Sequence, residues 1–465
     1  MRSKRGVACA AILAIVVAGC ASPTPSPSAA PSASAAVSPS ATTSASAQAS
    51  GAPASTVPAG SASADHPIAS SGSIAVQDTD GSLSIVATDG SSHLVSDTSK
   101  GQFGFPSWSP DGSRIAVVRS DGTNTAVVVF DAADVATGPV EPTVIFLRPN
   151  AAPFYVYWTP DGRSVSFLVN ENDKLSLRVA PADGSAPIDG SGDGSLVRSG
   201  DPLYFDWLNG DRLFAHIGTG DDGFLGEIAA DGTAKGASLK APGDFRTAIV
   251  SADHESIAFV RGAIGGPGRV VVSRRDGSNE HSMTVYGQTA LTFDPKGGSV
   301  ASIASATKEG AAGFPLGPLK LIDATSGDVR TLVDGLVVAF WWSPDGKTIA
   351  ALRVQPSIVS ATPSGAPSQE PDTEVRLIFA DVASGRTLSQ PIVRPAERFV
   401  SSLLAYFDQY ALSHRLWAPD SSSILMPEVD EIEAMVKIGF RSGDLTGRLS
   451  FVSCLRCACA SPLKK

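Results

Sequence analysis

Cys454, Cys457 and Cys459 stand in a Cys-x-x-Cys-x-Cys spacing close to the end of the 465-residue chain. Thiolates so spaced could join a metal site if a fourth ligand were supplied, or form one disulfide and leave an odd thiol. The other chemistry-bearing residues are sparse. Asp253-His254 and His414 are isolated histidines among six in all, and a single imidazole beside a turn is expected to be solvated or structural. The acidic runs Gly220–Gly223 (GDDG) and Glu428–Ala434 (EVDEIEA) offer carboxylates but no calcium-loop spacing. No Gly-x-Ser-x-Gly elbow is present for acyl transfer. Neither a metal nor a cofactor is expected, so function must be sought in the elements that hold these residues.

The first element concerns location. Three cations within MRSKR precede Val7–Ala18, a 12-residue apolar run. As a helix that run spans about 18 Å, short of the roughly 30 Å hydrocarbon layer. It reads as a signal peptide. The run ends in Val17, Ala18, Gly19 and Cys20, which resembles the bacterial lipobox. That resemblance implies a diacylglycerol on the Cys20 sulfur and cleavage of residues 1–19, with the membrane as a partner held through the lipid.

Residues 20–64 follow the anchor as a Ser/Ala/Pro tether without a charged or aromatic side chain. Such a segment buries too little apolar surface to offset its ordering entropy. As a flexible coil it would reach about 35–40 Å. A net charge of −10 argues against nucleic acid as a partner, because phosphate binding needs clustered Lys and Arg.

Beyond residue 65 one pattern recurs. WSPDGSRIAVV (Trp108, Pro110, Asp111, Gly112) is matched at Trp158, Pro160, Asp161 and Gly162, and at Trp342, Pro344, Asp345 and Gly346. Looser copies sit at Trp207, Ser251, Phe293 and Trp417 with Pro419 and Asp420. Successive copies lie 42–50 residues apart except for a last step of 75. Proline presets the turn, aspartate and glycine complete it, and the following run alternates with period 2. A second series of Asp-Gly-like turns falls inside each repeat. Four antiparallel strands per unit, stacked radially, predict an all-β chain: a single β-propeller over residues 65–453. The aromatic and turn residues are expected to pack blades and reverse the chain.

These residues resemble the TolB-type propeller family, whose blades carry an aromatic-Ser-Pro-Asp-Gly turn before an alternating strand. The resemblance covers about residues 68–453 and speaks to fold more than to function. Counting strands leaves the ring one short of eight blades, which are favoured slightly over seven; Pro67–Ser70 (PIAS) is one source of the missing strand. Residues 454–465 break the pattern and are expected to form an unstructured Cys-containing tail.

All the short turns fall on one face of such a ring and the long insertions on the other. The insert-bearing face is therefore the expected binding face. On it, the link Glu397–Arg415 carries Tyr406, Phe407, Tyr410 and His414, read as a short amphipathic helix over the channel mouth. The expected function is a lipid-anchored, extracytoplasmic and non-catalytic propeller that binds a protein or envelope polymer. The alternative is a propeller hydrolase or lyase acting on a glycan or peptide at the channel mouth.

Overall fold

The computed structural model describes residues 73–452 and 457–462, apart from short stretches inside that span of which 357–372 is the longest. The signal segment, Cys20, the tether and Pro67–Ser70 lie outside the described residues.

Each repeat folds as a meander. Gln102–Trp108, Arg114–Ser120, Asn124–Asp131 and Thr143–Pro149 pair in order, as do Phe154–Trp158, Ser164–Glu171, Lys174–Pro181 and Ser195–Gly200. Leu203–Trp207 opens a sheet of three described strands. A ten-stranded ladder follows, because His281–Phe293 and Val329–Trp342 each run from the outer edge of one unit into the inner strand of the next. Ladder breaks at Tyr286/Ala290 and Val337/Ala339 mark the two crossings.

Period-2 alternation explains why the sheets stack. Ile115 and Val117 are buried with Leu83 and Ile85 of the preceding sheet, whereas Ala116 is buried with Val156 and Val165 of the following one. Both faces of a blade are therefore core, and the whole is a β-propeller.

The turn motif works through its side chains. Ser109 Oγ donates to Asp111 at 2.6 Å and accepts from the Arg114 N–H at 2.9 Å, while Asp111 accepts from the Ser113 N–H at 3.0 Å. Thr159 and Asp161 repeat this geometry, and so do Ser343 and Asp345. Gly112 and Gly162 take φ of 73° and 70°. The degenerate copies keep the same left-handed residue without glycine, as His254 (φ 62°) and Ser421 (φ 61°).

One expectation is corrected here. Cys457–Pro462, read from sequence as part of an unstructured tail, pairs antiparallel with Ile74–Asp78, with Ile74 opposite Pro462 and Val76 opposite Ala460. It is the innermost strand of the sheet that continues to Leu83–Val86 and Ser92–Ser96. The first and last parts of the chain thus share one sheet, and the propeller unit extends beyond residue 453. The strand escapes pattern reading because CACASP has no large alternating side chains; backbone pairing with an otherwise bare edge does not require them.

Candidate functional site

The link after the Thr387–Val393 strand does not lie across the channel mouth; it enters the channel. It forms α1 (Glu397–Ser402), a 3-10 turn at Leu404–Tyr406 and α2 (Phe407–Ser413). Phe399, Phe407 and Tyr410 are buried, with Phe407 edge-on to Phe340 at 5.2 Å and to Trp341 at 5.9 Å. Tyr410 stacks on Phe105 at 5.7 Å and meets Tyr155 edge-on at 5.6 Å. Phe105 and Tyr155 hold φ of 55° and 51° at register shifts in their inner strands. Such bulges re-aim a side chain at a cost of about 1–3 kcal/mol, here turning both rings onto α2.

The plug fills the side of the channel carrying the insertions. On the turn side it leaves a cavity of about 490 Å³ and a second of about 260 Å³, which share Tyr157, Leu412 and Arg415. Their walls follow the repeat: the residue preceding each motif aromatic lines one or both, as Ser107, Tyr157, Asp206, Ile249, Thr292, Trp341 and Leu416, with Val250 in the fourth copy standing at the aromatic position and Ser251 at that of Ser109.

Four of the lining groups have perturbed chemistry. Asp206 is buried, and desolvation raises its pKa to about 6 although it accepts hydrogen bonds from Val250 N (3.1 Å), Tyr157 Oη (3.2 Å) and Trp207 N (2.8 Å). Burial and the Asp206 charge hold the Tyr157 hydroxyl well above its ordinary pKa, so it is a neutral donor. His414 is pushed down to about 4 by burial and is neutral near pH 7, with Nδ1 2.7 Å from Ser413 Oγ. The acidity of Arg415 is raised by desolvation, opposed by Tyr157, although water reaches its side chain from the cavity. Enclosing walls and an open mouth account for both facts.

Of the four residues expected to face a ligand, only Tyr406 is exposed. Phe407 and Tyr410 pack the plug, and His414 borders the larger cavity from below. The open cavity lies on the face opposite the one expected. His254, set aside as an isolated turn histidine, stands at its rim. Tyr157, Asp206 and Arg415 escaped the sequence reading. Arg415 was detectable by alignment of the repeats, since it occupies the position two before the aromatic where Pro106, Val156, Phe205, Leu291 and Phe340 stand in other copies. Among the described residues no group of three or more His, Cys, Asp or Glu is placed to hold a metal.

The sheets and the plugged channel define a β-propeller with a one-sided central cavity. Neither a protein-family model nor a curated protein matches the chain. Among solved structures it is similar to TolB from Acinetobacter baumannii, at 20% identity and a TM-score of 0.34 over 56% of this chain. The chain spans 65% of that TolB. It is similar also to dihydro-heme d1 dehydrogenase NirN (16% identity, TM-score 0.49, 84% of this chain and 74% of that one). An oligogalacturonate lyase in complex with manganese resembles it at 11% identity and a TM-score of 0.43, over 65% of this chain and 83% of that one. These likenesses extend to the general fold and to no site.

Proposed function

We propose that the protein is a lipid-anchored, extracytoplasmic binding propeller, held at a membrane through Cys20, that takes a protein or envelope-polymer segment into the turn-side mouth of its channel without transforming it. The ring is read as eight-bladed, with Cys457–Pro462 supplying the inner strand that the count from sequence lacked. The observation that carries the reading is a cavity of about 490 Å³ framed by residues from six successive repeats, the second to the seventh, and closed behind by α2. Concave pockets of roughly 300–1,000 Å³ with a few oriented polar groups are the usual form of ligand sites.

Fractionation tests the anchor: wild type should sediment with membranes and Cys20→Ala should be released, and equal release of both would refute lipidation. Retention of envelope material on the immobilised Cys20→Ala chain tests the site. Leu412→Trp, which narrows both cavities, should abolish that retention; undiminished retention would move the site elsewhere.

The second reading, an enzyme, draws on Asp206, a cavity carboxyl with a pKa near that of a working acid or base. It accepts hydrogen bonds from Tyr157 and two backbone N–H groups, and these bonds do not reach His414. Binding is therefore the better-supported reading.

A further inference from the structure

Among the described residues the cavity holds one Lys or Arg, and no ion pair answers it. Arg415 borders both lobes. No other Lys or Arg lines either lobe among the described residues. The remaining repeats place an apolar residue at its position.

The nearby carboxylates are committed elsewhere. Asp206 accepts from Tyr157 Oη and from the Trp207 and Val250 N–H groups. Asp294 accepts from Lys296 N at 2.7 Å and Gly298 N at 3.2 Å. Two more donors in the wall, Thr292 Oγ1 and Trp342 Nε1, are buried without a hydrogen-bond partner. Water reaches the Arg415 guanidinium, and with no ion-pair partner among the described residues its N–H groups are open to an arriving anion.

We propose that Arg415 forks the carboxylate of a small organic acid whose ring-sized body lies in the larger lobe against Trp341, Trp342 and Leu416. This rests on the reading of the channel as the ligand site and names its ligand class. One planar guanidinium matches one carboxylate through two parallel N–H···O bonds. A dianionic phosphate fits less well, since it would meet Asp206 and Asp294 in the same walls with a single cation to hold it. Aromatic walls suit a flat ring, whether aromatic or sugar.

The test is a titration read by indole fluorescence, because Trp207, Trp341, Trp342 and Trp417 all line the lobe. The chain carrying Cys20→Ala is titrated with D-glucuronate and benzoate, with glucose and benzyl alcohol as neutral counterparts, and with inorganic phosphate. At least one acid should bind more tightly than its neutral counterpart and than phosphate. Arg415→Gln should weaken that acid on the order of tenfold or more, with Arg415→Lys between the two. The melting temperature of Arg415→Gln should be unchanged, as expected on removing a water-reached charge that has no ion-pair partner; a fall would mean that Arg415 holds the fold. Binding that is absent for both acids, equal in Arg415→Gln, or strongest for phosphate overturns the proposal. If the acids fail while Leu412→Trp still abolishes envelope retention, the channel reading survives and the carboxylate falls. If Leu412→Trp also leaves retention intact, both fall.

Discussion

Trp158 donates its indole N–H to the Ser107 carbonyl at 2.9 Å, reaching from the inner strand of one blade to that of the blade before it. Trp417 does the same to the Trp341 carbonyl at 3.0 Å. Trp207 bonds Ser166 Oγ at 3.2 Å, and that hydroxyl donates in turn to the Tyr157 carbonyl at 2.7 Å. The recurring tryptophan is thus an inter-blade staple as well as an apolar filler. Trp342 departs from this, its Nε1 being buried without a partner.

Trp158→Phe should therefore destabilise the protein by about 1–3 kcal/mol, since it leaves a buried carbonyl unpaired. Trp342→Phe should cost less than Trp158→Phe, because the indole N–H it removes is already unpaired. Urea midpoints at a constant m-value check the pair. An equal loss in both variants would reduce the staple to packing alone.

Deletion of residues 457–465 should be among the most damaging truncations available to this chain. It removes the strand opposite Ile74–Asp78 and leaves that strand as an edge inside the ring. The expected result is a large fall in melting temperature together with concentration-dependent association. A truncated chain that melts like the full one would show that the closure contributes nothing.

What could be read from sequence was whatever repeats. The turns, the alternating strands and the packing aromatics announce themselves because they recur at near-regular spacing, whereas the indole hydrogen bonds of Trp158, Trp207 and Trp417 leave no trace in the sequence. Cys457–Pro462 was hidden because CACASP shows no alternation of large apolar residues to mark it as a strand. The site was hidden for a different reason. The amphipathic link 397–415 was visible, but amphipathicity says only that Phe407 and Tyr410 are covered, and covering the channel from outside or filling it from within leaves the same sequence trace. Arg415, Asp206 and Tyr157 each break the pattern at a position whose orientation toward the channel becomes evident only once the blades are ranged around it.

Asp206 and His414 should give stability opposite slopes with pH. The folded pKa of Asp206 is raised from 3.8 to about 6, so between those values the native state holds more protons and stability falls as pH rises. The folded pKa of His414 is lowered from 6.5 to about 4, so the unfolded state holds more protons there and stability rises with pH. Asp206→Asn keeps an acceptor for the Tyr157 hydroxyl and removes the first slope. It should gain on the order of 1–3 kcal/mol above pH 7, and its stability should climb more steeply than that of wild type between pH 4 and 6. Parallel pH–stability curves would contradict the burial assigned to the carboxyl.

Tyr406 and Tyr410 are four residues apart, yet they should behave as different kinds of residue. Tyr410 is 7% exposed and is held between Phe105 and Tyr155, whereas Tyr406 is 54% exposed. Tyr410→Ala would empty the space between two rings whose strained backbones are set to reach it, at a cost of about 3–5 kcal/mol. Tyr406→Ala should stay within about 0.5 kcal/mol of wild type. Because α2 forms the floor of the cavity, Tyr410→Ala should also weaken whatever ligand the Cys20→Ala chain retains, while Tyr410→Phe, which keeps the ring between Phe105 and Tyr155, should lose less of both stability and retention than Tyr410→Ala. Thermal melts of the three variants with a retention assay on the same samples decide it: if Tyr410→Ala unfolds no more easily than Tyr406→Ala, α2 is a loose cover and not the plug on which the cavity rests.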